Sequence, residues 1–547
     1  MNRIELHLKQ IIQQAIQTAF NIEVSCDDLV IENPKIKEHG DYSTNIAMRL
    51  AKELKSNPRA IATEIVNAIE KSENPFSKCE IAGAGFINMV VKLDLLTKTI
   101  PLILKEDENY GKGEVKPHPR FNIEYVSANP TGDLHPGHAR GAAIGDALAR
   151  VMKKAGYDVV KEYYINDAGN QINNMAKSLR ARYLQACGLN EAVPEDGYHG
   201  RDLVDIAQDI YDTNKEAYKD LTYEESVSLF KKLGLEAEIL KLKKDLELFR
   251  CEFDVWTSEQ SLYDKGLVIE ALDKLKKLNH TYEFEGALFL KTTDYGDDKD
   301  RVLVKSDGSY TYLMPDIAYH LNKKERGFDQ LVNLWGADHH GYIPRMKAAL
   351  QALNYDPEDL HVDIIQMARM IKDGEEFKLS KRTGKAVALK DLIDEAGVDA
   401  VRYYFVSKAG DTHMDLDLDM ASSSSNENPV YYAQYAHARM CSILRTEAPQ
   451  AITDFSLLTH EKERDLLMIL ADFPQWIQNA ASLRQPHLMC LYIHKCAAGF
   501  HSFYNECSVL KAEDEALKQQ RLALVKAVQI TLRNALELIG VSAPEKM

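Results

Sequence analysis

The stretch from Phe121 to Asn166 constrains this 547-residue chain more than any other. "FNIEYV" is an apolar run of strand length. "SANPTGDLHPGHARG" follows, punctuated by Asn129, Pro130 and Gly132. "GHARGAAIGDALARVMKKAG" has the small-residue content of a closely packed helix and a stop signal at Gly156, and "DVVKEYYIN" is strand-like again. Strand, loop, helix, strand in that order opens a βαβ unit, which requires a parallel sheet with helices on its faces.

The rest of the chain arranges itself around that unit. Residues 1–112 read as a small α+β domain. Ile4, Leu8, Ile11, Ile12 and Ile16 recur at helical spacing, Ser43 is a candidate N-cap for a second helix, and "GFINMVVK" is a short strand. "YGKGEVKPHPR" has the composition of a linker. Residues 113–425 form the sheet-bearing domain. Within it, about 170–300 is charged and helix-like and reads as an insertion, and strand-like runs return at "DQLVNLWG" and "HVDIIQMARM". Residues 426–547 are amphipathic helix almost throughout, which gives a separate all-helical domain.

Within the βαβ opening, "HPGH" stands out because a turn does not need two imidazoles. Pro136 is a helix-start signal, so His135 and His138 fall in the first turn, three residues apart on one face. A helix N-terminus favours a phosphate, two imidazole donors add to it, and Gly137 leaves room for a flat base on the backbone. The turn also follows a parallel strand, on the side where α/β sheets bind nucleotides. Taken alone, the pair reads first as two solvated histidines at a helix start. A second motif, "EEFKLSKRTGKAV", sets Lys378 and Lys381 three apart between Gly374 and Gly384. Such lysines can close over a triphosphate and neutralise leaving pyrophosphate; in isolation the segment is equally a solvated basic loop.

The pair resembles the HIGH and KMSKS signatures of class I aminoacyl-tRNA synthetases, here "HPGH" and "KLSKR". The wider pattern resembles the arginyl-tRNA synthetase family over essentially the whole chain: "IEYVSANPTGDLHPGHARG", "YLMPDIAYH", "WGADHHGY", "GVDAVRYYF", "NPVYYAQYAHAR" and "GVSAPEKM". Leu379 stands at the methionine of the second signature and Arg382 at its final serine; both lysines are retained. The resemblance implies an α/β fold: a Rossmann-like parallel-sheet catalytic domain, an N-terminal α+β domain that contacts the tRNA elbow, and a C-terminal all-helical anticodon-binding domain. It implies a monomer that uses L-arginine, ATP with Mg2+ and tRNA-Arg, with His135, His138, Lys378 and Lys381 as catalytic residues. ATP would meet these four together with Gly137, Leu379 and Ser380.

Arginine itself needs carboxylates and flat acceptors in a desolvated pocket. Glu124 lies in the first strand, and Asp316 follows Tyr312 by one helical turn. The resemblance places Glu124, Asn129, Tyr312, Asp316 and His339 at arginine-contacting positions. Each has an ordinary alternative: a strand-end charge for Glu124, core packing for Tyr312, a loop pair or metal ligands for His339 and His340. The resemblance also places Phe86, Asn88, Tyr432, Tyr435 and Met547 against tRNA. Phe86 and Asn88 alternate along a strand, so they share one face, either outward as an aromatic and an amide for an unpaired base or inward as core.

Bulk properties exclude little. A net charge of −16 argues weakly against nucleic acid but permits a local basic face. No apolar run of membrane length and no signal-peptide pattern occurs, and eight scattered cysteines without a CxxC pair fit reduced thiols in a cytoplasmic protein. Cys490, His494 and Cys496 sit in an apolar helical segment, and no bound metal is expected. Three other functions compete. Of the class I synthetases for another amino acid, the apolar-substrate members do not call for the acidic pair and a cysteinyl-like enzyme calls for CxxC and zinc spacing that is missing; a small nucleotidyltransferase needs neither flanking domain; a non-catalytic RNA-binding paralogue has no use for both histidines and both lysines.

Overall fold

The computed structural model describes residues 3–26, 28–34, 36–378 and 387–547. Leu379, Ser380 and Lys381 lie outside the described residues.

The core of the middle domain is a five-stranded parallel sheet. Its spatial order is Leu360–Ile365, Gln330–Gly336, Lys116–Glu124, Tyr157–Ile165, Val255–Ser258. Numbered along the chain this is order 5-4-1-2-3, the doubly wound arrangement, and the chain reverses its direction of travel between Lys116–Glu124 and Gln330–Gly336. Ligands bind such sheets beyond the carboxyl ends of the two strands at that switch point. The helix Pro136–Lys154 covers one face of the sheet, and Leu313–Glu325 and Ile343–Ala352 cover the other. Close approach explains the small residues of Pro136–Lys154: a Cβ on Gly145 would lie 2.3 Å from the Tyr125 ring. At Gly156 (φ +97°) a Cβ would meet the Glu114 carbonyl oxygen at 1.9 Å, so only glycine makes that turn into the next strand.

Four details differ from the sequence reading. Ser43 is a strand residue (Tyr42–Thr44) whose Oγ donates to Asn88 Oδ1 at 2.8 Å; the helix after it starts at Ile46 with Asn45 as N-cap. "KPHPR" is not linker but the amino end of the strand Lys116–Glu124, where a register irregularity between Lys116 and Arg120 accommodates the prolines. The insertion is helical over Asn170–Ala186, Arg201–Asn214 and Tyr223–Leu248, but it also carries the edge strand Val255–Ser258 and an antiparallel sheet of Thr281–Phe284, Ala287–Leu290 and Arg301–Val304. Strands of four residues leave no readable period. Gly374, read as a loop hinge, is the second residue of an Asp373–Gly374 hairpin turn, both with positive φ.

The C-terminal helices Pro429–Thr446, Glu461–Ser482, His487–Glu506 and Glu515–Leu538 share one continuous core with the N-terminal domain and the helix Pro136–Lys154. Arg402 fastens them to the sheet domain. Fully buried, it pairs with buried Asp146 on that helix at 2.6 Å and donates to the carbonyls of Phe249 and Ile539 at 2.8 and 3.0 Å. The chain end is pinned to Pro429–Thr446: Gln434 Nε2 donates to the Ser542 carbonyl, His437 Nδ1 to that of Pro544 and Arg445 to that of Glu545.

Candidate active site

His135 is the N-cap of the helix Pro136–Lys154, and Pro136 is its first residue. His135 Nδ1 accepts from the backbone N–H of Gly137 at 3.0 Å and of His138 at 3.4 Å. The amides expected to face an anion are thus already capped by the histidine ring, and the proton of His135 is on Nε2. The rings of His135 and His138 stack, with centroids 3.6 Å apart and planes at 23°. Burial and the neighbouring His135 push His138 down to about 3, and burial lowers His135 as well, so the turn presents neutral imidazoles. His138 Nδ1 is buried without a partner, which places its proton on Nε2 too. A Cβ on Gly137 would come within 2.8 Å of the His135 ring and of Met367 Sδ, so the glycine is also required by its own turn. Behind the turn, Asp133 pairs with Lys241 of the insertion at 2.6 Å.

Lys378 is exposed and 3.0 Å from Glu376, and its carbonyl accepts from Val387 N at 3.3 Å.

Beside the HPGH turn, at the switch point, the carboxylates converge. Glu124 ends its strand and is buried; Oε2 lies 2.5 Å from Lys323 Nζ and Oε1 accepts from Ser127 Oγ at 3.1 Å. Asp316, on the first turn of Leu313–Glu325, accepts from Tyr342 Oη at 2.7 Å. Burial pushes its carboxyl up to about 7, and the nearby charges of Glu124 and Glu259 act in the same direction against Tyr342 and Lys323. Glu259 opens the helix after the edge strand; burial and Asp167 push it up to about 7 also. Burial together with Glu259, Asp316 and Glu124 holds the Tyr164 hydroxyl far above its ordinary range. Among the described residues, the charged groups acting on Asp316 and Glu259 are carboxylates apart from Lys323, so this weakly solvated space is short of positive charge.

The other expected positions are placed differently. Tyr312 is the residue before that helix and 90% exposed, so the structure desolvates Asp316 but not the tyrosine a turn away. Asn129 is exposed and donates to Gln171 Oε1 at 3.0 Å. His339 is exposed in the turn after Gln330–Gly336, with Nδ1 3.1 Å from Asp338. Glu259, Tyr342 and Lys323 were missed by sequence reasoning. Only Lys323 carried a signal: Asp316, His320 and Lys323 follow i, i+4, i+7 spacing on one helix face.

Far from this pocket, Ile87, Met89 and Val91 turn into the N-terminal core, so Phe86 and Asn88 lie on the opposite face of their strand. Phe86 is 40% exposed, whereas Asn88, between Ser43 and Glu80 of its neighbours, is 8% exposed. On the C-terminal domain, Tyr432 packs on His501 at 4.7 Å, Tyr435 is exposed and parallel to Tyr431, and Met547 is exposed.

Comparison with known proteins agrees along the length of the chain. The family described as "Arginyl tRNA synthetase N terminal domain" matches residues 6–91, "tRNA synthetases class I (R), catalytic domain" matches 99–440, and "DALR anticodon binding domain" matches 433–547. Arginine–tRNA ligases of Bacillus licheniformis and Bacillus subtilis are each 54% identical over 546 residues, 99% of this chain and 98% of each relative. The arginyl-tRNA synthetase structure from Thermus thermophilus has the same fold, with a TM-score of 0.77 at 24% identity and 99% coverage of both chains. The chain belongs to the arginyl-tRNA synthetase family of class I aminoacyl-tRNA synthetases.

Proposed function

We propose that the protein is an arginine–tRNA ligase. The arginine carboxylate attacks the α-phosphorus of ATP, giving arginyl-adenylate and pyrophosphate. A ribose hydroxyl at the 3′ end of tRNA-Arg then takes the arginyl group and releases AMP. The observation that carries this reading is the meeting of two features at one switch point: neutral imidazole N–H donors for phosphate and a desolvated, cation-deficient carboxylate pocket for a guanidinium. Mg2+ enters with ATP as part of the substrate. Among the described residues no group of three or more His, Cys, Asp or Glu side chains is arranged to hold a metal.

In this reading, Glu124, Asp316 and Glu259 receive the amino acid, with Asn129, Tyr312 and His339 at the rim. His135 and His138 donate to phosphate oxygens, Gly137 lies under the base, and Lys378 to Lys381 close over the pyrophosphate. The chemistry consists of positioning and charge stabilisation, so no protein nucleophile is required. Purified protein incubated with labelled arginine, ATP and total tRNA is expected to place label on tRNA. Label transferred from another amino acid, or from none, overturns the proposal.

The exposed Phe86 supports an elbow-contacting role for the N-terminal domain, and the exposure of Tyr435 and Met547 supports their assignment, with Tyr432, as tRNA contacts of the helical domain. Stacking on one base contributes about 1–3 kcal/mol. Phe86→Ala should therefore weaken tRNA binding roughly 5- to 150-fold with little change in melting temperature. A core phenylalanine would instead cost about 3–5 kcal/mol of stability. Filter binding beside thermal melting checks this: a large fall in melting temperature with unaltered tRNA affinity would return Phe86 to a packing role.

A further inference from the structure

A buried chain of hydrogen bonds runs beneath the carboxylate pocket. Lys323, wholly buried, donates from Nζ to Glu124 Oε2 at 2.5 Å and to Asn333 Oδ1 at 3.3 Å, and lies 4.2 Å above the Tyr319 ring. Asn333 Nδ2 donates to His320 Nε2 at 2.7 Å, and His320 Nδ1 donates to the carbonyl of Asp316 at 2.8 Å. Each hydrogen bond fixes the sense of the next. With His320 Nδ1 protonated toward a carbonyl, Nε2 accepts; Asn333 then turns its NH2 to the ring and its oxygen to the lysine. Burial and the neighbouring Lys323 push His320 down to about 4, so the ring stays neutral and the sense is kept. Asn333 and Glu124 are also register partners on the two strands of the switch point.

We infer that Lys323 is a positioning residue for amino-acid recognition: with Asn333 and His320 it holds Glu124 and Asp316 at a fixed spacing and turns one oxygen of Glu124 to the substrate. This rests on reading the pocket as the arginine site. The lysine takes Oε2 of Glu124, and Ser127 takes one position on Oε1, so one acceptor direction on Oε1 remains. The other end of the network secures the backbone at Asp316, while Tyr342 holds one of its oxygens. One helix thus contributes a pocket acid and, two turns later, the cation beneath the pocket floor. A buried carboxylate deprived of its cation loses its preference for the charged form. Without the lysine, Glu124 loses the partner that fixes its Oε2.

The test is tRNA-supported pyrophosphate exchange on Lys323→Met, with Lys323→Arg, Asn333→Ser and Asp316→Asn alongside. Lys323→Met should raise the arginine KM about 30-fold or more, the loss expected for truncating one partner of a buried charge pair, and leave the ATP KM within about twofold. Its kcat should fall much less than its arginine kcat/KM, as expected for a group that acts through substrate binding. Lys323→Arg should recover part of the loss, and Asn333→Ser should shift the arginine KM in the same direction by a smaller factor. A melting temperature that falls while the arginine KM stays put would make the network structural only and sink the inference. Should Lys323→Met fail to fold, Asn333→Ser decides by the same readouts. An unmoved arginine KM in Asp316→Asn removes the pocket reading itself. A shift there with a silent Lys323→Met removes only the role given to the lysine.

Discussion

Asp316→Asn should raise the arginine KM by about 30-fold or more and leave the ATP KM near that of the unaltered protein. The substitution keeps the shape and removes a charge. Truncating one member of a desolvated charge pair costs about 2–5 kcal/mol, and Tyr342 keeps an acceptor for its hydroxyl either way. The pH dependence follows from the same environment. Asp316 and Glu259 are both held up at about 7, well above the ordinary carboxyl range, chiefly by burial. Ionising either therefore costs stability as pH rises from the ordinary carboxyl range towards 7, and a bound guanidinium offsets that cost. Arginine should bind more tightly as pH rises through about 7 and release protons on binding below it. Its stabilisation against melting should likewise be larger at about pH 8 than at about pH 6. Asp316→Asn should flatten part of that rise, leaving the part due to Glu259. Calorimetry in two buffers of different ionisation enthalpy reads the proton release directly. An arginine affinity unchanged across that range would mean that the carboxylates are already ionised without ligand, contrary to their surroundings.

The HPGH turn of the candidate site was legible because a short local pattern encodes its geometry. Pro136 marks the helix start, and three-residue spacing fixes the relation of His135 to His138 wherever the helix packs. The carboxylate cluster proposed for the amino acid was legible only in part, since it is assembled from four separated segments. Glu124 and Asp316 carry motif signals, but Glu259 follows a strand of four residues, too short for a period to show, and Tyr342 lies in a turn. Lys323 shares the i, i+4, i+7 face of Asp316 and His320, but its setting outweighed that spacing. A lysine beside Lys324 near a helix end reads as solvated, and only the tertiary pairing of Gln330–Gly336 with Lys116–Glu124 buries it. Tyr312 shows the converse. Helical spacing puts it one turn from Asp316, but spacing says nothing about which of the two is covered by neighbouring elements, and the ring is almost fully exposed. The domain plan was easier to read than the sheet. The apolar helices of the C-terminal domain have long periods, whereas the prolines of "KPHPR" disguised the start of a central strand.

His138→Ala should slow adenylate formation by roughly 10²–10³-fold, the range for removing one preorganised donor to a developing charge, and change the arginine KM much less. It is a cleaner test than His135→Ala. His135 caps the helix through Nδ1, so its removal also costs about 1 kcal/mol of helix stability and frees two backbone amides. His138 makes no such bond: its Nδ1 is buried and unpartnered, and the ring stacks on His135. What it can offer a phosphate is a neutral Nε2–H. An imidazole held near 3 stays neutral between about pH 6 and about pH 8. The rate loss in His138→Ala should consequently be the same at about pH 6 and about pH 8. His138→Asn, which keeps a neutral N–H donor on a shorter side chain, should recover part of the rate. A charged imidazolium in the unaltered protein predicts the opposite on both counts: a loss that grows toward acid pH, and no rescue by asparagine. Single-turnover adenylate formation with saturating arginine and tRNA, measured across that pH range, separates the two. An acid limb near pH 6 in the unaltered protein that disappears in His138→Ala would show that the stacked pair works as a cation and that burial does not govern its charge.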